Sequence, residues 1–146
     1  MRGVQMGRIR ARFFLGCVAL VLGLAACSPN SQTSVSTAAG FSVFLTASPN
    51  TIPAIPAGAD KGGCSTLTAK VFDTGGRLVD GAVVLFNTTL GIFPKQQGEG
   101  QDAVARFRVT LNGIATEVIC AQAVKGTATV SATVEDAHAT VLVTIF

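Results

Sequence analysis

Ser65-Thr66-Leu67-Thr68-Ala69-Lys70-Val71-Phe72 alternates apolar and polar side chains. Leu67, Ala69 and Val71 share one parity and Thr66, Thr68 and Lys70 the other. That period of two marks a strand with one buried face. The same alternation returns at 127–134, where Ala128, Val130, Ala132 and Val134 oppose Thr127, Thr129, Ser131 and Thr133. Working outward, β-rich runs at 41–47, 65–72, 82–87, 103–111, 114–121, 127–134 and 140–146 are separated by turn signals. These include Pro49-Asn50, Gly62-Gly63, Asp73-Thr74-Gly75-Gly76, Asn112-Gly113 and Glu135-Asp136. Seven short strands at this spacing predict an all-β, seven-stranded immunoglobulin-like β-sandwich. No helical stripe follows Leu24.

Composition agrees with that class. The chain has 146 residues, 49% of them apolar, with 16 glycines and few charges, which suits short strands and excludes disorder. The formal net charge of +3 is concentrated at the start, where Arg2, Arg8, Arg10 and Arg12 occur without an acid. Beyond residue 26, seven basic residues face eight acidic ones, a net of −1. No basic face remains for a nucleic-acid partner.

After the basic head comes Phe13-Phe14-Leu15-Gly16-Cys17-Val18-Ala19-Leu20-Val21-Leu22-Gly23-Leu24. As a helix this run is about 18 Å long, too short for a ~30 Å hydrocarbon core, and it reads as a secretory signal. It ends in Leu24-Ala25-Ala26-Cys27, which resembles the lipobox of bacterial lipoproteins. The resemblance implies cleavage between Ala26 and Cys27 and acylation of the Cys27 thiol. Two or three acyl chains would give stable anchoring to a membrane. Ser28, where inner-membrane members of that family carry Asp, favours the outer membrane in a cell that has one. Residues 28–40 are polar, small and uncharged and are expected to form a linker spanning roughly 20 Å. The expected organisation is a signal peptide at 1–26, a lipidated cysteine and linker at 27–40, and the domain at 41–146.

The last hundred residues resemble the bacterial Ig-like domains of the invasin/intimin type (group 1). The resemblance is carried by Ser65-Thr66-Leu67-Thr68-Ala69-Lys70-Val71-Phe72-Asp73, Gly81-Ala82-Val83-Val84-Leu85-Phe86, Thr89-Leu90-Gly91, Asn112-Gly113-Ile114-Ala115 and Gly126-Thr127-Ala128-Thr129-Val130-Ser131-Ala132, in the family's order. It implies a sandwich and a role in adhesion or display, without a catalytic site. Two departures stand out: the chain holds one copy where such domains usually repeat, and residues 94–111 are longer than the family's link at that point.

Cys17 leaves with the signal and Cys27 takes lipid, so Cys64 and Cys120 remain as a pair in an oxidising compartment. In a constant-type Ig-like sandwich the second and fifth candidate strands are antiparallel neighbours, which brings the start of one beside the end of the other. Both cysteines fall opposite their strands' apolar sets, a phasing that also turns Glu117 inward. Two unpaired thiols are the alternative, and a zinc site lacks histidine ligands.

Asp73-Thr74-Gly75 spells the triplet of aspartic proteases, yet such an enzyme needs two facing loops and this chain offers one unless it dimerises. The residues stand where the resemblance expects a turn. Gly98-Glu99-Gly100-Gln101-Asp102-Ala103 fits a dinucleotide pattern loosely, but strand rather than helix follows it. His138 lacks an evident nucleophile and is placed in the last hairpin. Asn87-Thr88-Thr89 matches a glycosylation acceptor, an accidental match in a bacterial context. Asp60, Asp73, Asp80, Asp102, Glu135 and Asp136 lie near turns, where solvation is a simpler account than calcium. The closing Val141-Leu142-Val143-Thr144-Ile145-Phe146 resembles a final barrel strand, but without Trp or Tyr to form a girdle it reads as a sandwich strand.

The expectation is therefore a non-enzymatic, lipid-anchored protein of the cell envelope, without cofactor or metal. Its one Ig-like module would serve adhesion, display or protein binding. A periplasmic accessory subunit of an envelope complex is the alternative, and a dimeric aspartic-type protease a remote one.

Overall fold

The computed structural model describes residues 35–38, 40–56, 62–96 and 101–146, all strand, turn or extended chain. The expected signal peptide, the cleavage site at Ala26 and the lipid site at Cys27 lie outside the described residues, as do Asp60 and Gly98 to Gly100.

Among the described residues nine strands form two sheets: β1 (Val35–Ala38), β2 (Phe41–Ser48), β3 (Thr51–Ile52), β4 (Cys64–Asp73), β5 (Val83–Thr88), β6 (Ala105–Val109), β7 (Ile114–Cys120), β8 (Gly126–Val134) and β9 (Ala137–Ile145). One sheet has the order β1-β2-β4-β7 and the other β3-β9-β8-β5-β6, and β2 packs across β9 and β8. This is the β-sandwich expected from the alternation. All seven candidate strands are present, and β1 and β3 are added to them. β1 falls in the stretch read as linker, where Val35 to Ala38 pair antiparallel with Phe44 to Phe41. β3 is two residues long and lies parallel to the end of β9, with Thr51 opposite Thr144 and Ile52 opposite Ile145.

The core is made by the inward parity of each strand. Val43, Leu45 and Ala47 of β2 and Leu67, Ala69 and Val71 of β4 are buried. From the other sheet they meet Val84 and Phe86, Ala128 to Val134 at alternate positions, and Val141, Val143 and Ile145. Phe93, outside any strand, is fully buried as well. Removing a large core side chain such as Phe86 would cost about 3–5 kcal/mol.

Turn chemistry sets the connections. Asn112 and Gly113 adopt φ of 52° and 75°, the left-handed pair that a tight two-residue turn requires, and link β6 to β7. A Cβ on Gly113 would come within 2.4 Å of the Leu78 side chain, so only glycine fits there. Asp73 Oδ1 accepts the backbone N–H of Gly75 at 2.8 Å and of Arg77 at 2.9 Å, closing the turn after β4.

Candidate functional site

The long strands put mainly apolar side chains inward, and β6 inverts that pattern. In β6 Arg106 and Arg108 point inward, while Ala105, Phe107 and Val109 point out, Phe107 65% and Val109 61% exposed. The cause is Glu117. On β7 the inward parity that buries Ala115 and Ile119 also buries Glu117, whose side chain has no exposure. An ionised carboxylate in a core must be paired and hydrogen-bonded. Arg108 Nη2 lies 2.8 Å from Glu117 Oε2, and Arg106 Nη1 lies 3.8 Å from Oε1. The Val118 N–H donates to Oε1 at 2.8 Å and Gln96 Nε2 donates to it at 3.5 Å. Arg106 also donates to the carbonyls of Pro94 at 2.7 Å and Gln101 at 3.3 Å. Two arginines two residues apart can both reach inward only if the residue between them faces out.

The outward face of β6 continues onto β5. The register sets Val83 opposite Val109 and Leu85 opposite Phe107, so four apolar side chains adjoin on the outer surface of the sheet. Leu111 extends the row beyond the strand and is itself exposed. β6 is also the edge of its sheet. Thr110 N donates to Ala82 O and Thr88 N to Val104 O, so residues 104 and 110 bond toward β5. By the alternation of an antiparallel ladder, the backbone groups of Ala105, Phe107 and Val109 point away from β5. No described residue takes their amide protons. An apolar face beside an open ladder edge is suited to holding another polypeptide.

The structure brings Cys64 and Cys120 together as a disulfide on directly opposite residues of β4 and β7. The backbone of Cys120 bonds to Ile92 on its other side, so the cysteines form a non-hydrogen-bonded cross-strand pair, the closer of the two kinds. Their side chains face out and that of Glu117 faces in, as the phasing on Ile119 and Leu67 requires.

The remaining candidates are dispersed over turns and strand ends. Asp73 caps its own turn, Asp80 accepts the Asn112 N–H at 2.8 Å, and Asp102 accepts the Lys95 N–H at 2.7 Å. Among the described residues no group of three His, Cys, Asp or Glu is placed to share a metal ion. Glu135 and Asp136 form the exposed turn of the last hairpin, with His138 exposed beside them. Asn87 is half-buried in β5 opposite Ser131, and Val141 to Ile145 lie in β9 of the sandwich, with Phe146 exposed beyond its end. The apolar face was not singled out from sequence. The signal for it was an inward Glu117 together with an Arg-x-Arg in a neighbouring strand.

No family model and no curated protein matches the chain. Among solved structures it is similar to a glycosyl hydrolase family 2 member from Bacteroides cellulosilyticus, with a TM-score of 0.51 and 21% identity. The similarity covers 80% of this chain and 15% of that one, so the chain spans a small part of its length. At that identity the likeness is one of fold alone.

Proposed function

We propose that the chain is a membrane-anchored lipoprotein of the cell envelope whose single Ig-like module acts by binding protein, in adhesion or display. The observation that carries the binding role is the outer face of β5 and β6, where Val83, Leu85, Phe107 and Val109 adjoin at a sheet edge that no described strand pairs. Supporting the anchor are the basic head, the short apolar run and Leu24-Ala25-Ala26-Cys27. The short segment after Cys27 would hold the module close to the membrane, and the exterior of the cytoplasm suits a disulfide. A solvated sheet face normally carries polar side chains, and this one instead carries the strand's apolar set.

Two measurements test the proposal. Cys27→Ala is expected to abolish incorporation of labelled palmitate and cleavage before residue 27; labelling that survives the change contradicts the anchor. Capture of envelope proteins on the wild-type chain is expected to fall at least tenfold with Phe107→Lys, which leaves the core untouched. Equal capture by both contradicts the binding face. Protease added to whole cells then separates surface display, where the module is cut, from a periplasmic accessory role, where it is spared.

A further inference from the structure

We infer that the partner of this edge is a second copy of the chain: two β6 strands pair antiparallel about a two-fold axis at Phe107 and join their sheets into one. The inference rests on the reading of the β5–β6 face as a binding surface and names its occupant.

Three features of β6 favour its own copy. First, a two-fold interface needs a patch complementary to itself. About an axis at Phe107, Phe107 faces its own counterpart and Ala105 faces Val109, so small meets branched and every outward pair is apolar. The backbone groups that point off the edge belong to these same three residues, so the symmetric register is also the hydrogen-bonded one. Second, the usual guards of an edge are missing or disarmed. Residues 103–111 contain no proline, and no charged side chain of β6 is on the outward face. Charges turned inward on an edge strand ordinarily block pairing, because a further strand would bury them. Here Arg106 and Arg108 are already engaged by Glu117 and backbone carbonyls. Third, the area is of the right order for a weak dimer. Only the flanks of Ala105, Phe107 and Val109 meet across the seam, to which the strand backbone adds, so the interface is well below the ~800 Å² per partner of a standard one, as a weak dimer has. Confinement of lipid-anchored copies to a membrane raises their effective concentration and favours such pairing.

Single cysteines placed in the full chain, expressed in a bacterial envelope and oxidised there, test the arrangement. Hydrogen-bonded partners lie ~5.5 Å apart at Cα, inside the ~4.4–6.8 Å range of a disulfide. Phe107→Cys is therefore expected to give a disulfide-linked dimer, and Ala105→Cys co-expressed with Val109→Cys a mixed one. Val83→Cys sits three strand spacings across and four residues along from its counterpart, about 20 Å away, and is expected to stay monomeric. Sedimentation of the detergent-solubilised chain is expected to show a dimer that Phe107→Lys removes without changing the melting curve. Cross-linking at residue 83 as readily as at residue 107, or a monomer in both assays, overturns the pairing. If Phe107→Cys links instead to a different envelope protein, the pairing falls while the binding face stands; if residue 107 links to nothing, both fall.

Discussion

Glu117 shows how one buried charge redirects its surroundings. Its carboxylate is held by Arg108 at 2.8 Å, with Arg106, Gln96 and the Val118 amide around it. Breaking a buried pair by removing one partner costs about 3–5 kcal/mol, because the other charge stays in the core. Glu117→Ala is accordingly expected to lower the unfolding free energy by about 3 kcal/mol or more in urea titration. Replacing Glu117, Arg106 and Arg108 together with leucine is expected to recover most of that loss. Ser65 offers the opposite sign. Its hydroxyl is buried between the sheets and finds no partner among the described residues. An unmade buried hydrogen bond costs roughly 1–3 kcal/mol, so Ser65→Ala is expected to raise stability by about 1 kcal/mol in the same assay. The inward turn of Glu117 was legible in sequence, because Ile119 shares its parity. Its partners were not, since the local alternation at 105–109 points the apolar Ala105, Phe107 and Val109 to the core and the two arginines to solvent, the reverse of what Glu117 imposes.

At the scale of elements, legibility followed length and alternation. β4 and β8 have long alternating patterns, and their expected bounds differ from the observed ones by a residue or two. β3 has two residues, too few for a period to show, and exists because Asn50 and Ile52 accept the amides of Thr144 and Phe146. β1 is built from small and polar residues that read as linker, and its strand state comes from pairing with β2. β6 had a clear period of two, but its apolar set faces solvent because a distant carboxylate claims the other face. The disulfide was accessible from cysteine arithmetic plus strand adjacency. It closes a loop with a sequence separation of 56. In the chain-entropy model such a loop constrains the unfolded state by about 4 kcal/mol, an upper figure where the unfolded chain keeps structure. Cys64→Ser with Cys120→Ser is expected to lower stability by 2–4 kcal/mol (approximately), read from the urea midpoint. Mass spectrometry of unreduced protein from the envelope is expected to find the Cys64 and Cys120 peptides linked, and two free thiols there would contradict the bridge.

For the whole molecule, the parts combine into one arrangement. A lipid at Cys27 would restrict the module to the membrane surface, and the sandwich would hold β6 as a rigid edge. Glu117 keeps the arginines of that edge in the interior, which leaves Phe107 and Val109 on the outside. If the module binds as proposed, stability and binding would be coupled through one buried carboxylate. The proposed role is contact through the β5–β6 face. A photo-activated cross-linking residue placed singly in the full chain inside cells tests that role. At position 107 defined adducts are expected, to a second copy or another envelope protein. At Thr66, exposed on the outer face of the opposite sheet, none are expected. Adducts at 66 equal to those at 107, or none at 107, would contradict it.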